Sequence, residues 1–348
     1  GADPGNIVSI EVEEFDSLVG FQEPDSYDIQ GGAATDVATI DLTGDGADEI
    51  AVCVGGPGGS PGQLYVFIND GAGGFAAQDI YPLGSEPASI AAGDFEGDGW
   101  IDLAVSNYQD DEVRIFRNDA DGSGMLTEDT TPLGVGVGPL GIAAKDFNGD
   151  GADDLIVCCS EDRAIEVYEG LNIRNRSRAP SQKVTTPGKP QDVDPEDFDK
   201  PKFGNVGATT NDPDQIITMG VGTDGSLSDP VGYPSGDNPG PITSDDVDGD
   251  GNSDFVATNE DDGSVTVLKQ SAGRGYDPPI MLPLGATAGS LTIVDIEGDG
   301  DQDIVAVVDD GDGPVAKLLR NDMNLYNGEL LVFADAEPLQ TDVDPVLV

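Results

Sequence analysis

An Asp-rich loop containing glycines and flanked by two apolar runs recurs along the chain, with its first aspartate at Asp41, Asp94, Asp146, Asp197, Asp246 and Asp295. The gaps are 53, 52, 51, 49 and 49 residues. A fixed period of this length constrains the fold more than any other feature. Each copy must be one supersecondary unit that cannot bury its apolar face alone and does so against its neighbours.

Four strand signals fall within one period, and residues 87 to 135 give the clearest copy. Ser89-Ile90-Ala91-Ala92-Gly93 is rich in small residues, as a strand crowded against its neighbours requires, and Leu103-Ala104-Val105 is a short continuous apolar run suited to burial on both faces. Glu112 to Arg117 alternates polar and apolar residues, and it ends at Asn118-Asp119 before a glycine-bearing turn. The fourth signal, Leu126 to Leu133, contains Pro132, with equivalent prolines at Pro82, Pro187, Pro234 and Pro283. Proline is tolerated on an edge strand because it cannot donate to a ladder.

Four short strands per period of about 50 residues predict an all-β fold, a β-propeller of four-stranded antiparallel blades. Residues 1–348 then form one propeller domain, with repeats beginning near 35, 88, 140, 191, 240 and 289. The N-terminal stretch Ile7 to Gly31 resembles the third and fourth strands of a period, and Pro338 to Val348 resembles a fourth strand running into a first. Residues 1–31 and 338–348 therefore read as sharing a closing blade, which makes seven; six blades with an extra N-terminal strand pair is the alternative.

The loops carry the chemistry. Five share one design, with oxygen side chains at positions 1, 3, 5 and 9, a glycine at position 6 for a sharp turn, and a backbone carbonyl available at position 7. In that order the ligands are Asp41, Thr43, Asp45, Ala47 and Glu49; Asp94, Glu96, Asp98, Trp100 and Asp102; Asp146, Asn148, Asp150, Ala152 and Asp154; Asp246, Asp248, Asp250, Asn252 and Asp254; and Asp295, Glu297, Asp299, Asp301 and Asp303. A set made wholly of oxygen donors on an adjustable loop favours Ca2+ over Mg2+, which keeps waters and demands a tight octahedron. About five calcium ions are expected. Asp-Gly is also a hairpin-turn signal, but a turn alone does not require the same oxygen spacing five times over.

These stretches, Val37 to Val52, Ile90 to Val105, Ile142 to Val157, Ile242 to Ala257 and Leu291 to Ala306, resemble the FG-GAP/VCBS repeat family, which includes the propellers of integrin α-chain heads and of many secreted bacterial proteins. The resemblance covers about residues 20 to 340. It implies calcium in each loop and an extracellular location, secreted or on the cell surface. Two departures stand in the first loop, where Thr43 is a weaker ligand than a carboxylate and Glu49 replaces the final aspartate, so this loop is expected to bind less tightly. In the fourth copy Asp197-Phe198-Asp199 runs into Lys200-Pro201-Lys202-Phe203 and loses the Gly-Asp-Gly core. No calcium is expected there, and an insertion reaching about Asp214 is expected to form a surface loop before apolar Ile216-Ile217 resumes the sheet.

Charge narrows the partners. Lys and Arg total 15 against 68 Asp and Glu, a formal net charge of -53, which excludes ordinary electrostatic binding to nucleic acid or anionic lipid. Seven basic residues, Arg174, Arg176, Arg178, Lys183, Lys189, Lys200 and Lys202, lie within 29 positions. Such a segment suits contact with the acidic face of another copy or with an anionic glycan, or a solvated edge kept from aggregating by charge. It also contains a glycosylation sequon, Asn175-Arg176-Ser177.

Cys53, Cys158 and Cys159 sit in apolar runs and read as buried free thiols. No run of about 18 apolar residues is present to insert into a membrane, and a start at Gly1 suits a processed chain or a fragment. The absence of histidine removes His-dependent triads, His-ligated metals and imidazole catalysis. The sequence thus points away from an enzyme and toward a calcium-binding recognition, adhesion or surface-assembly module whose partner is a protein, a glycan or another copy of itself. A polysaccharide-lyase-like enzyme or a lectin on the same fold is the alternative.

Overall fold

The computed structural model describes residues 8–12, 15–16, 20–21, 25–29, 31–72, 74–170, 179–196, 204–271, 275–296, 298, 300–309, 311, 314–321 and 337–338. Each repeat forms one antiparallel sheet whose strands lie in sequence order. The copy at 87–134 has strands Pro87–Gly93, Asp102–Asn107, Glu112–Asn118 and a fourth broken into Leu126–Glu128 and Leu133–Gly134. Pro132 lies in the break. Pro82 lies inside the fourth strand Phe75–Ser85, Pro234 and Pro283 end theirs, and Pro187 follows Gln182–Thr185. All five thus keep to the outermost strand of a sheet or just beyond it, where a missing N–H costs least.

The chain divides into two compact units, Gly1–Lys183 and Val184–Val348. In the first, three sheets follow an N-terminal hairpin in which Val8–Val12 pairs with Asp25–Ile29. Cores lie between successive sheets. Leu42, Leu64, Val66, Leu103, Val105 and Phe116 form one, and Phe95, Ile115, Leu155, Val157 and Tyr168 the next. Close approach explains the small residues of the first strands, since a Cβ on Gly93 would stand 2.8 Å from that of Ala144. The three cysteines are free and buried. Burial raises the Cys53 thiol and is the main cause pushing that of Cys159 up to about 12, so neither is a ready nucleophile.

The second unit holds three further four-stranded sheets among the described residues, with Val256, Val265, Val267, Ile304 and Leu319 buried between the last two. Its fourth strand Glu337–Pro338 completes the last sheet, while residues 339–348 lie outside the described residues, as do most of 1–31, so the shared closing blade falls largely on positions that are not described.

One expectation is overturned in this unit. The fourth repeat has no insertion before Ile216. Its second strand is Asn205–Asn211, paired with Lys189–Pro195 on one side and with Gln215–Gly220 on the other, so Ile216 and Ile217 belong to the third strand. This second strand, Asn205-Val206-Gly207-Ala208-Thr209-Thr210, is buried although only weakly apolar. Small residues are needed here because the ring of buried Phe255 lies where a Gly207 Cβ would be, 2.5 Å away. Gly207→Ala is therefore expected to destabilise the protein by about 1–3 kcal/mol through overpacking, read from the denaturant midpoint. An unchanged midpoint would contradict this placement of the strand.

Candidate metal centres

In their described residues the five loops share one sharp turn. Gly46, Gly99, Gly151, Gly251 and Gly300 at position 6 have φ between 87° and 95°, a left-handed conformation that L side chains rarely adopt. The position 1 carboxylate gathers the turn. Asp41 accepts from the amides of Gly44 at 2.7 Å and Gly46 at 2.9 Å, Asp146 and Asp295 do the same in their own loops, and Asp94 and Asp246 accept from the amides at positions 5 and 6. At position 5, Asp45, Asp98, Asp150 and Asp250 each accept from the amide two residues on, at 2.8 to 3.0 Å. Glu297 and Asp299 lie outside the described residues.

Position 2 fixes the loop to the core. Leu42, Phe95, Phe147 and Val247 are buried there, whereas Ile296 in the last loop is 41% exposed. Position 9 is the first residue of the second strand, and Glu49, Asp102, Asp154, Asp254 and Asp303 are all buried. Most of these carboxylates hold two backbone segments at once. Asp154 accepts from Phe147 N at 3.1 Å and Gly170 N at 2.9 Å, Asp254 from Val247 N at 3.2 Å and Gln270 N at 2.7 Å, and Asp303 from Ile296 N at 3.2 Å and Asn321 N at 2.8 Å. Sequence spacing assigned position 9 to the metal alone. It also ties the loop to the end of the third strand, a role visible only once the sheet is formed.

These donors fit a hard cation. Asp246, Asp248 and Asp254 place carboxylate oxygens within 4.8 Å of one another. Asp102 Oδ2, Glu49 Oε1 and Thr43 Oγ1 are buried without a hydrogen-bond partner among the described residues, a costly state that a cation would relieve. Burial is the main cause raising Asp102, Asp154 and Asp254 to about 7, and Glu49 is raised for the same reason.

Neighbouring loops are joined. Asp153 accepts from Asp94 N at 2.8 Å while its own N–H donates to Asp94 O, and Asn118 Nδ2 donates to Leu42 O at 2.8 Å. In the second unit Asn321 Nδ2 reaches Val247 O at 2.7 Å. The fourth repeat is different. Asn205 stands at position 9, and buried Glu196 accepts from Asn205 N, Tyr276 OH and Gln270 Nε2. Asp197, Asp199, Lys200 and Lys202 are outside the described residues, as are Arg174, Asn175, Arg176 and Arg178. Lys183 pairs with Asp162 and Glu166, at 2.9 Å each.

Acidic turn loops repeated between the first and second strands of successive four-stranded antiparallel sheets define a β-propeller repeat protein. The FG-GAP-like repeat profile matches residues 41–105, 94–157 and 246–306, just over half of the chain, and the chain belongs to the FG-GAP-like repeat family. Solved structures agree on the fold. The periplasmic gluconolactonase of Pseudomonas aeruginosa aligns with a TM-score of 0.68 at 13% identity, covering 95% of this chain and 93% of that one. A protein from Lactobacillus plantarum aligns at 0.61 and 15% identity, covering 96% and 95%, and the Dos1 propeller at 0.55 and 13%, covering 93% and 72%. No curated protein sequence matches the chain.

The raised carboxylates predict a pH dependence. Where the folded pKa exceeds the unfolded one, the metal-free fold binds more protons than the unfolded chain, so this contribution to stability is lost as pH rises from about 4 to about 7. A cation needs the same groups ionised. In chelator the melting temperature should be higher at pH 5.5 than at pH 7.5, and the increment added by calcium should be larger at pH 7.5. Thermal melts in all four conditions check both signs; a calcium increment that does not grow with pH would contradict the assignment.

Proposed function

We propose that the chain is an extracellular calcium-binding β-propeller that acts as a recognition, adhesion or surface-assembly module. One observation carries this reading: a nine-residue loop with the same oxygen spacing recurs five times, and buried oxygens in two of its copies have no partner among the described residues. In each loop the carboxylates at positions 1, 5 and 9, the oxygen side chain at position 3 and the carbonyl at position 7 would hold the ion. Bound calcium supplies charge neutralisation and cross-linking of the loop. The protein's own groups do the rest, with position 1 folding the turn and position 9 joining it to the next strand.

The compartment proposed is the one in which such sites fill. Extracellular calcium modules bind at about 0.1–1 mM, so sites of this kind are filled outside cells. At a dissociation constant of about 0.1 mM, roughly 10 mM calcium stabilises by about 2.7 kcal/mol per site. Five such sites rival the net stability of a domain. The partner is a protein or glycan, or another copy of the chain, and the net charge of -53 favours cationic surfaces. The lactonase neighbour, at 13% identity, supports the fold and not an activity.

Chelation should lower the melting temperature by tens of degrees or unfold sheets outright. Asp98→Ala should remove about one fifth of the calcium-dependent increment. A melt indifferent to chelator would overturn the proposal.

A further inference from the structure

Position 3 divides the loops. It is an acid in three of them, Glu96, Asp248 and Glu297, and a neutral oxygen in two, Thr43 and Asn148. A second position varies with it. Strand pairing aligns Phe67, Phe116, Tyr168, Leu268 and Leu319 in the third strands, opposite Ile50, Leu103, Leu155, Phe255 and Ile304. The next residue is Arg117, Lys269 or Arg320 in the repeats with an acid at position 3, and Ile68 or Glu169 in the other two.

The described ion pairs show why. Lys269 Nζ lies 2.8 Å from Asp248 Oδ2, with both side chains largely covered, at 18% and 14% exposure. Arg117 pairs through Nη1 with Glu96 and through Nε with Asp129, the latter at 2.9 Å. Asp248 belongs to the group of three carboxylates whose oxygens converge. A protein cation therefore already sits on one of the carboxylates that a calcium ion would take.

We propose that Lys269 and Arg117 are built-in counter-ions of their loops. Each neutralises the position 3 acid when calcium is absent, and each opposes the ion when it arrives. The inference rests on the calcium reading and refines it. Loops 94–102 and 246–254 hold their shape at low calcium and fill at higher concentration, whereas loop 41–49, with Thr43 at position 3 and Ile68 beside it, depends on the ion more fully. This reverses the order that ligand type alone gives, because a tethered cation within a few ångströms outweighs the difference between a hydroxyl and a neutralised carboxylate.

The test uses the full chain and the variants Lys269→Met, Lys269→Gln and Lys269→Arg. Removing the charge should lower the melting temperature in chelator and raise it, or leave it unchanged, in saturating calcium. Loop 246–254 should then half-fill at on the order of tenfold less calcium, as expected for losing one nearby like charge, followed by calcium titration with native mass spectrometry. Lys269→Arg should behave as the parent. If Met and Gln both lower the melt equally with and without calcium and leave the titration unchanged, Lys269 is only a structural ion pair and the proposal fails. If the parent chain takes up no calcium at all, it is the calcium reading that fails.

Discussion

A buried carboxylate at the first residue of a strand is the interaction on which the repeat depends. Asp154, Asp254 and Asp303 each accept one backbone N–H from position 2 of the loop and another from the residue two beyond the end of the third strand. Buried charge is costly unless it is met by donors or by a cation. Two amides meet part of that demand and so fix the loop against the sheet. With the position 2 side chain buried in every loop but the last, and the position 6 glycine turned, little freedom remains in those loops.

Where the carboxylate is less fully met, the demand is visible. Asp102 Oδ2 and Glu49 Oε1 lack partners among the described residues, and burial raises both groups. The fourth repeat shows the other solution. Asn205 replaces the acid at position 9, and Glu196 takes side-chain donors from Asn205, Gln270 and Tyr276. One architecture thus accommodates loops suited to a cation and a loop whose buried acid is met by neutral protein donors. Hydrogen bonds such as Asn118 to Leu42 and Asn321 to Val247 carry the ordering of a loop to the strand end of the following sheet.

Much of this was legible in the sequence, because the signals were local. The loop period, the apolar second strands and the edge prolines all report on short stretches, and the sheets follow them. The second strand of the fourth repeat was not legible. Val206, Ala208 and two threonines give a weak apolar signal, and Gly207 is required by the ring of Phe255, some fifty residues away. The dual role of position 9 and the pairing of Lys269 with Asp248 were hidden for the same reason, since each joins residues that only the antiparallel register brings together.

Charge sets the terms for the whole chain. With 68 acids against 15 bases, self-repulsion opposes the compact state, and the loops concentrate it. On the proposed reading, calcium would answer that problem where it is most acute. The most direct measurement is a count of the ions that the chain retains, by native mass spectrometry after equilibration in millimolar calcium. About five bound calcium ions are expected from the five loops with the full oxygen set. A spectrum of the folded chain with no calcium bound would contradict the account.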